Sequence, residues 1–363
     1  MKILHLLSGG GIGGIEVLCR DIADLSREEH EFCFLYDGGM IAEEMQKKKV
    51  PVYFLYKKNI AVRLLSLIKL VKDKRYNTVL VHHEGVGIYT FYLVLTCLFP
   101  KIKFVKYLHC SFEDKYFYQG NKVKDWLNYQ ALSMSLKRSE HMIAVSDFVK
   151  KSYCEEFQCD ESKVSVIYNG IRIPERKESI VLKRTVEKLR LLYIGRLVEV
   201  KGIRVLLQAI KILQDKGLYV ELDILGEGPQ REEFEELSKE WTINDRVYFH
   251  GQQLQKQEYY DNADVFVYPS VWQEAFGISI VEAMAQGMIC VASLSGGIPE
   301  IIEDGKDGFL FPIADAEALA GTIQRIMQLY NEQKEKTIMD AAKQKAKEFD
   351  INRMIEKLQE VCR

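Results

Sequence analysis

The chain has 363 residues, of which 47% are hydrophobic and 28% charged, with a formal net charge of −2. This length predicts two domains, and the composition is that of a folded protein and not a disordered one. The charge is near neutral and the basic residues are spread along the chain, so we expect no nucleic-acid partner.

Eight cysteines without a Cys-x-x-Cys pair favour reduced thiols in a cytoplasmic protein. The N-terminal apolar run is too short for a signal peptide. The longest nearly uncharged stretch, Val86–Pro100, falls short of the ~20 residues of a membrane span. We expect it to be a buried helix between two strands.

Strand and helix patterns alternate along the first half of the chain. Strand candidates are Lys2–Leu7, Glu31–Tyr36, Val52–Leu55, Thr78–His82, Lys103–His109, Met142–Val145 and Val164–Tyr168. Helical periodicity is present in Ile15–Leu25 and Ile60–Val71. The second of these has one narrow polar stripe, which favours a mostly buried helix over one that lies on a membrane surface.

A polar, charged stretch at 173–188 is the predicted linker, and the alternation restarts after it. Strand candidates are Leu189–Gly195, Tyr219–Leu225, Arg246–Phe249, Val265–Tyr268 and Ile289–Ala292. Helix candidates are Lys201–Lys216, Gln230–Trp241, Ile278–Gln286, Ala316–Tyr330 and a tail from Glu335, broken near Asp350. This pattern predicts an α/β protein with two doubly wound parallel sheets, in domains 1–172 and 189–345. Residues 346–363 are expected to pack back on the first domain.

The stretch SGGGIGGIE, Ser8 to Glu16, follows the first strand. Gly9, Gly11 and Gly14 fit the G-x-G-x-x-G pattern of dinucleotide-binding folds, and Asp37 lies about 20 residues further on. An NAD-dependent oxidoreductase is therefore one alternative. It predicts a single domain of this kind, whereas the second half of the chain offers another.

The stretch YIGRLVEVKG places two cations, Arg196 and Lys201, after a strand and near the predicted start of a helix. Ligands of open parallel sheets bind at the carboxyl ends of the strands. Two cations beside a helix N-terminus form an anion site, and a diphosphate is the obvious ligand.

The stretch PSVWQEAFGISIVEAMAQG places Glu274 before a helix and Glu282 within it. Backbone N–H groups at the start of that helix are free to bind a phosphate or a hydroxyl group. A carboxylate beside such donors suits a polyhydroxylated ligand. Glu282 stands among apolar residues, so we expect a partly buried carboxylate without a nearby cation, which needs hydroxyl partners.

A further Gly-Gly turn follows in SLSGGIPEIIEDGKDGFLF, where Gly296 and Gly297 are placed to face a phosphate and DGKDG resembles a hairpin turn. Several such stretches together resemble the motifs of glycosyltransferase family 4, the retaining glycosyltransferases with the GT-B fold. They are GGIGGIE, VSDFVKKSY, VIYNGI, YIGRLVEVKG, ILGEGPQ, VYFHGQ, YPSVWQEAFGISIVEAMAQG and GGIPEIIEDGKDGFLF.

The resemblance runs over almost the whole chain and is strongest in its C-terminal half. It implies two Rossmann-like domains facing a central cleft, with a nucleotide sugar bound mostly by the C-terminal domain. The chain departs from the usual family pattern at Ala275, where a glycine is more common. The extra methyl group is expected to trim the sugar pocket at most.

By this resemblance, Arg196 and Lys201 would hold the diphosphate, Glu282 the ribose hydroxyl groups and Glu274 those of the transferred sugar. His109 would lie near that sugar, and it completes the expected catalytic set with Arg196, Lys201 and Glu274. The remaining expected donor-binding residues border the base, the diphosphate or the sugar: Gly13, Gly14, Gly251, Gln252, Phe276, Gly277 and Ile278.

The function implied by the resemblance is retaining transfer of a sugar from a nucleotide-diphosphate sugar, with UDP favoured, to a glycan or lipid-linked glycan. Bacterial surface polysaccharide synthesis is the expected setting, in the cytoplasm, with peripheral association at the inner face of the membrane left open. No cofactor is expected. No metal is expected either, because the two cations can replace Mg²⁺ and no D-x-D motif stands out.

Three alternatives besides the oxidoreductase stay open. Two are a phosphorylase and an epimerase of the same architecture. The third is a non-catalytic protein that binds sugar nucleotides, which would be expected to lose some of Arg196, Lys201, Glu274 and Glu282. All four are present.

Overall fold

The computed structural model describes residues 1–11, 13–55, 59–82, 86–112, 121–174, 188–253 and 255–363. The chain divides into two compact units, one formed by Met1–Gly170 with Ile351–Arg363 and the other by Ile171–Asp350. Most of the predicted linker, 175–187, lies outside the described residues.

The first unit is built on a seven-stranded parallel sheet. Its strands are β1 (Lys2–Leu7), β2 (Glu29–Phe34), β3 (Val52–Phe54), β4 (Thr78–Val81), β5 (Lys103–Leu108), β6 (His141–Ala144) and β7 (Val164–Val166). Its helices are α1 (Gly14–Leu25), α2 (Met40–Lys47), α3 (Ile60–Lys74), α4 (Val86–Leu98), α5 (Lys122–Arg138) and α6 (Asp147–Phe157). The strand order is β3-β2-β1-β4-β5-β6-β7.

The central strands of this sheet are covered on both faces, and their sequences are therefore nearly continuous apolar runs. In β1, residues Ile3, Leu4, Leu6 and Leu7 are fully buried. The exception is His5, a polar side chain that is also fully buried.

The helix α3 is not the mostly buried helix that its sequence predicts. Only Leu67 and Val71 are buried, while Ile60, Val62 and Leu65 are exposed. The helix packs on the core along part of its surface and leaves several apolar side chains in contact with solvent.

The second unit is built on a six-stranded parallel sheet. Its strands are β8 (Leu189–Ile194), β9 (Val220–Leu225), β10 (Val247–Gly251), β11 (Val265–Tyr268), β12 (Ile289–Ser293) and β13 (Phe309–Phe311). Its helices are α7 (Ile203–Asp215), α8 (Arg231–Glu240), α9 (Gln257–Asn262), α10 (Ile278–Ala285), α11 (Ala316–Asn331) and α12 (Glu335–Ala346). The strand order is β10-β9-β8-β11-β12-β13.

The DGKDG segment does not connect the two strands of a hairpin. It leads into β13, which pairs with β12 in the parallel direction. The last helix, α13 (Ile351–Cys362), returns to the first unit. There, Thr78 Oγ1 donates to the carbonyl of Cys362 at 2.8 Å, and Gln359 Nε2 donates to Ser26 Oγ at 3.0 Å.

Both units are thus doubly wound parallel sheets, as the alternating pattern predicts. A search of the described residues finds no helix with the combination of length and apolar character needed to cross a bilayer.

Candidate functional site

The turn after β8 differs in one respect from its prediction. Lys201 does not open the long helix; it ends a 3₁₀ turn, Glu199–Lys201, and Gly202 caps α7. Gly202 has a φ of +71°, and a Cβ there would lie 1.8 Å from the carbonyl oxygen of Pro269. Glycine is therefore required at this position, where the turn meets the end of β11.

The close approach brings Lys201 and Glu274 together. Lys201 Nζ lies 2.6 Å from Glu274 Oε1, and Ser270 Oγ donates to the same oxygen. The two charged side chains are only 17% and 9% exposed. The sequence predicts that Lys201 and Glu274 bind different parts of the ligand, and in the structure they also form an ion pair with each other.

Two tyrosines surround this ion pair. Lys201 Nζ lies 5.8 Å from the ring centre of Tyr268, and Tyr193 Oη donates to the carbonyl of Arg196 at 3.1 Å. Burial, reinforced by the Glu274 carboxylate, raises the pKa of both phenols above the ordinary value. Both therefore stay neutral hydrogen-bond donors.

The sequence predicts that the Gly-Gly turn after β12 presents its N–H groups to a phosphate. In the structure these N–H groups instead bind the segment that carries Glu274. Gly297 N–H donates to the carbonyl of Glu274 at 2.7 Å, and Gly296 N–H donates to Gln273 Oε1 at 2.8 Å. Gly296 has a φ of +53°, and a Cβ there would lie 2.1 Å from the carbonyl oxygen of Glu274. These glycines position the carboxylate by fixing its backbone.

The predicted backbone donors lie at the start of α10, directly after Glu274. Gly277 is the N-cap, and its carbonyl accepts from the N–H groups of Ile280 and Val281. The first-turn amide of Ile278 has no acceptor within the helix and points along the helix axis. Phe276 is buried, with its ring packed edge-on against Phe349.

The prediction that Glu282 has no nearby cation is wrong. Lys256 Nζ lies 2.8 Å from Glu282 Oε2, and Tyr260 Oη donates to the same oxygen at 3.1 Å. The Glu282 side chain is 26% exposed. Both contacts are to Oε2, so the second carboxylate oxygen of this partly exposed side chain adds further acceptor capacity.

Arg196 is the exposed cation of this sheet edge. Within the part of the chain that the structure describes, its guanidinium takes part in no ion pair. Gly251, at the end of β10, has a φ of +71°, and the neighbouring Gln252 is exposed. The second unit therefore gathers one unpaired cation, two held carboxylates and a helix N-terminus at the carboxyl ends of its strands.

In the first unit, Gly13 caps α1 and its carbonyl accepts from Val17 N–H at 3.0 Å. Gly14 is the first residue of that helix, and Ile12, in the same turn, lies outside the described residues. A Cβ at Gly13 would lie 2.4 Å from Glu16 Oε2. Asp37 is exposed, and its N–H donates to the carbonyl of Ser8.

His109, half-buried after β5, is the end of a row of histidines that the sequence did not reveal. The others are His30 in β2, His5 in β1 and His82 after β4. The strands β2, β1, β4 and β5 are neighbours in the sheet, so one histidine lies within, or directly after, each of four adjacent strands. The sequence shows a histidine in or after each of these strands, but only the strand order of the sheet shows that the four histidines are neighbours.

Two family models match the chain. The model described as "Glycosyltransferase Family 4" matches residues 12–173, and the model described as "Glycosyl transferases group 1" matches residues 175–345. The chain belongs to glycosyltransferase family 4.

Relatives of this family 4 chain also carry the name glycosyltransferase. A putative colanic acid biosynthesis glycosyltransferase, WcaL of Salmonella typhimurium, is 29% identical over 63% of this chain and 58% of its own. An uncharacterized glycosyltransferase of Methanocaldococcus jannaschii is 27% identical over 87% of this chain and 85% of its own. This chain therefore spans little more than half of the WcaL relative.

HepE of Anabaena, solved in complex with UDP, superimposes with a TM-score of 0.82 at 22% identity, covering 99% of both chains. The same protein in complex with UDP-glucose gives a TM-score of 0.83, covering 99% and 98% of the two chains. At this identity the likeness concerns the fold, and it confirms the predicted GT-B fold.

Among the described residues of this family 4 chain, one group of side chains has the spacing of metal ligands: His5, Cys19 and His82, all buried, within 4.8 Å of one another. His5 Nδ1 and His82 Nε2 are 2.8 Å apart. Two imidazole nitrogens on one tetrahedral ion lie about 3.3 Å apart, given ion–nitrogen bonds of about 2.0 Å. The spacing fits a hydrogen bond better than a shared ion.

Proposed function

We propose that the second unit binds a nucleotide-diphosphate sugar, with UDP favoured, and that the protein transfers the sugar with retention of configuration. The acceptor is proposed to be a glycan or lipid-linked glycan of a bacterial surface polysaccharide. The observation that carries the proposal is the buried Lys201–Glu274 pair beside the unpaired Arg196. Support comes from family membership, from the UDP and UDP-glucose complexes of HepE and from the name of the WcaL relative.

The diphosphate is assigned to Arg196 and Lys201. A lysine ammonium has three N–H donors, and Glu274 uses one of those of Lys201. The others are available to phosphate oxygens, and Arg196 adds a planar group suited to bidentate binding. The first-turn amide of Ile278 adds the positive end of a helix dipole.

The two carboxylates are assigned to hydroxyl groups of the donor. Glu274, fixed by Lys201, Ser270 and the glycine turn, is placed to accept from the transferred sugar. Glu282, fixed by Lys256 and Tyr260, is placed to accept from the ribose. Gly251 and Gln252 are assigned to the base, and His109, Gly13 and Gly14 keep the roles that the family resemblance implies.

The chemistry proposed for these residues is electrostatic. The bond that breaks joins the anomeric carbon to a phosphate oxygen, and negative charge develops on the leaving diphosphate. Two cations and a helix N-terminus stabilise that charge in place, which makes the diphosphate a better leaving group. Metal independence is proposed on the same ground, since these groups supply the charge that Mg²⁺ would otherwise bring.

Peripheral membrane association is proposed for the first unit. Its exposed apolar side chains include Val123, Trp126 and Leu127 at the start of α5, where Lys122 and Lys124 stand beside them. Apolar side chains with lysines at one helix end suit an anionic membrane surface.

The donor assignment is tested by ligand-induced shifts of the melting temperature with UDP, GDP, ADP and NAD and with UDP-glucose and GDP-mannose. A ligand that binds only the folded state at about 100 times its Kd adds about 2.7 kcal/mol, or roughly 5 °C or more for a domain of this size. We expect the shift with UDP and UDP-glucose. A shift with NAD alone would overturn the proposal.

The same titration tests the site within the second unit. We expect Arg196→Ala to weaken UDP binding about tenfold, because it removes a charge-assisted hydrogen bond to phosphate. Arg353→Ala, which changes an exposed arginine of α13, is the matched control and should leave the affinity unchanged. Equal affinity in both variants would refute the assignment of Arg196.

A further inference from the structure

Four of the six histidines of the first unit, His109, His82, His5 and His30, form a regular row of hydrogen bonds. In each of the three links between rings, Nε2 of one ring faces Nδ1 of the next, and the fourth link joins the last ring to a serine. The distances are 3.0 Å from His109 to His82, 2.8 Å from His82 to His5, 2.7 Å from His5 to His30, and 2.8 Å from His30 Nε2 to Ser26 Oγ. Ser26, after α1, is half-buried and ends the row.

His5 and His30 are neutral at physiological pH. Burial lowers the pKa of His5 well below its ordinary value and that of His30 to about 4. A neutral imidazole has one N–H donor and one acceptor nitrogen. The links made by these two rings must therefore all donate in the same direction, either towards Ser26 or towards His82.

The partners of Ser26 decide the direction. Its Oγ accepts from the N–H of Glu28 at 3.2 Å and from Gln359 Nε2 at 3.0 Å. A hydroxyl group has two lone pairs and one hydrogen. Because both lone pairs are occupied by N–H donors, the hydroxyl hydrogen is left for His30 Nε2.

That one hydrogen fixes every ring in turn. His30 accepts at Nε2, so its own proton is on Nδ1 and is donated to His5 Nε2. By the same step His5 donates from Nδ1 to His82, and His82 donates from Nδ1 to His109 Nε2.

We propose that Ser26 and Gln359 set the tautomer of His109 through the three buried histidines, so that His109 carries its proton on Nδ1. Its Nε2 accepts from the N–H of His82 at 3.0 Å, so the single proton of neutral His109 lies on Nδ1 and its other nitrogen is already occupied. In this tautomer His109 cannot act as the base that removes a proton from a substrate. This last consequence rests on the proposed function, whereas the tautomer does not. Ser26, Gln359 and the three histidines are positioning residues.

The tautomers are measured on histidine-¹⁵N-labelled protein by long-range ¹H–¹⁵N correlation spectra at pH 7, without substrate. We expect all four rings to carry the proton on Nδ1. Protons on Nε2, a mixture of tautomers, or a zinc or copper ion bound by His5 and His82 in metal analysis would overturn the proposal.

Two substitutions at Gln359 distinguish a reversal of the hydrogen bonds in the row from a general loss of protein stability. Gln359→Glu provides only acceptor oxygens, so Ser26 must donate to it and all four rings should switch to the Nε2 tautomer. Gln359→Lys provides only donors and should leave the wild-type tautomers unchanged. Unchanged spectra in Gln359→Glu would contradict the proposal.

The functional consequence is read from kcat/KM with a UDP-sugar donor. We expect Gln359→Glu to lose about tenfold relative to Gln359→Lys, with the same melting temperature in both variants. A switched tautomer with unchanged kcat/KM would show that the tautomer of His109 has no part in transfer. Absence of transfer and of UDP binding in the wild type, with the expected tautomers present, would refute the proposed function alone.

Discussion

The second unit contains a largely buried pair of opposite charges, and the first unit contains a row of buried histidines joined by hydrogen bonds. At the edge of the second sheet, Lys201 and Glu274 are largely buried and compensate one another at 2.6 Å. Inside the first sheet, His5 and His30 are buried and joined by a hydrogen bond, not by an ion pair. In the proposed row, each ring donates one hydrogen bond to the next ring. Removing either partner of the charge pair should lower the stability of the protein. Reversing the direction of the hydrogen bonds in the histidine row should instead change the tautomers of its rings.

The largest expected effect comes from breaking the charge pair. Glu274→Ala leaves the Lys201 ammonium buried and uncompensated, which costs about 3–5 kcal/mol in the free energy of unfolding, and we expect no transfer activity. Urea unfolding and a transfer assay measure the two effects.

The double variant Lys201→Met with Glu274→Leu is the control for this prediction. It removes both charges and keeps the volume, so most of the stability should return while transfer stays absent. A double variant that transfers sugar at the wild-type rate would show that the pair has only a structural role.

A somewhat smaller effect on stability is expected from protonation of the buried histidines at low pH. In the unfolded chain His30 has its ordinary pKa of 6.5, whereas in the folded protein burial lowers its pKa to about 4. The unfolded state thus binds more protons in this window, so stability is complete above pH 6.5 and falls as the pH drops towards 4. His30 alone accounts for about 3 kcal/mol.

This pH dependence is measured by urea unfolding at steps between pH 7.5 and pH 4, with His30→Gln as the comparison. Glutamine does not titrate, so the variant should lose less stability over the same range, whatever its stability at pH 7.5. Parallel curves for the two proteins would contradict a neutral His30 in the folded state.

The smallest effect is expected at the more exposed pair of Lys256 and Glu282. Their side chains are 31% and 26% exposed, so Lys256→Met should change the free energy of unfolding by less than about 1 kcal/mol. We expect UDP binding to weaken about threefold, because Glu282 loses the cation that orients it. Lys239→Met, on the exposed face of α8, is the matched control. An unaltered UDP affinity in Lys256→Met would remove the orienting role.

The sheets could be predicted from the sequence because buried parallel strands are apolar runs bounded by turns. The predicted strands Lys2–Leu7 and Val265–Tyr268 coincide with β1 and β11. The helices α2, α5, α6 and α9 were not predicted. The helices α2 and α9 are short, with 8 and 6 residues, and the apolar residues of α5 do not form a clean stripe. In α5, Val123 and Trp126 are exposed.

The site was predictable where its residues follow one strand and unpredictable where partners meet across strands. Arg196, Lys201 and Glu274 stand at the strand ends that the alternation indicates. The contact of Lys256 with Glu282 joins segments on either side of β11, and nothing local signals it. The histidine row needs the strand order β2-β1-β4-β5, which a list of strands does not contain.

The return of α13 to the first unit has a consequence for the order of folding. Residues 1–170 are synthesised first, yet the hydrogen bonds from Thr78 to Cys362 and from Gln359 to Ser26 form only after the whole of Ile171–Asp350 has been made. Such contacts, distant along the chain, form late because a long loop must close first. During translation the second unit can therefore be complete while the first still waits for its last helix, and with it for the hydrogen-bond partner that orients Ser26.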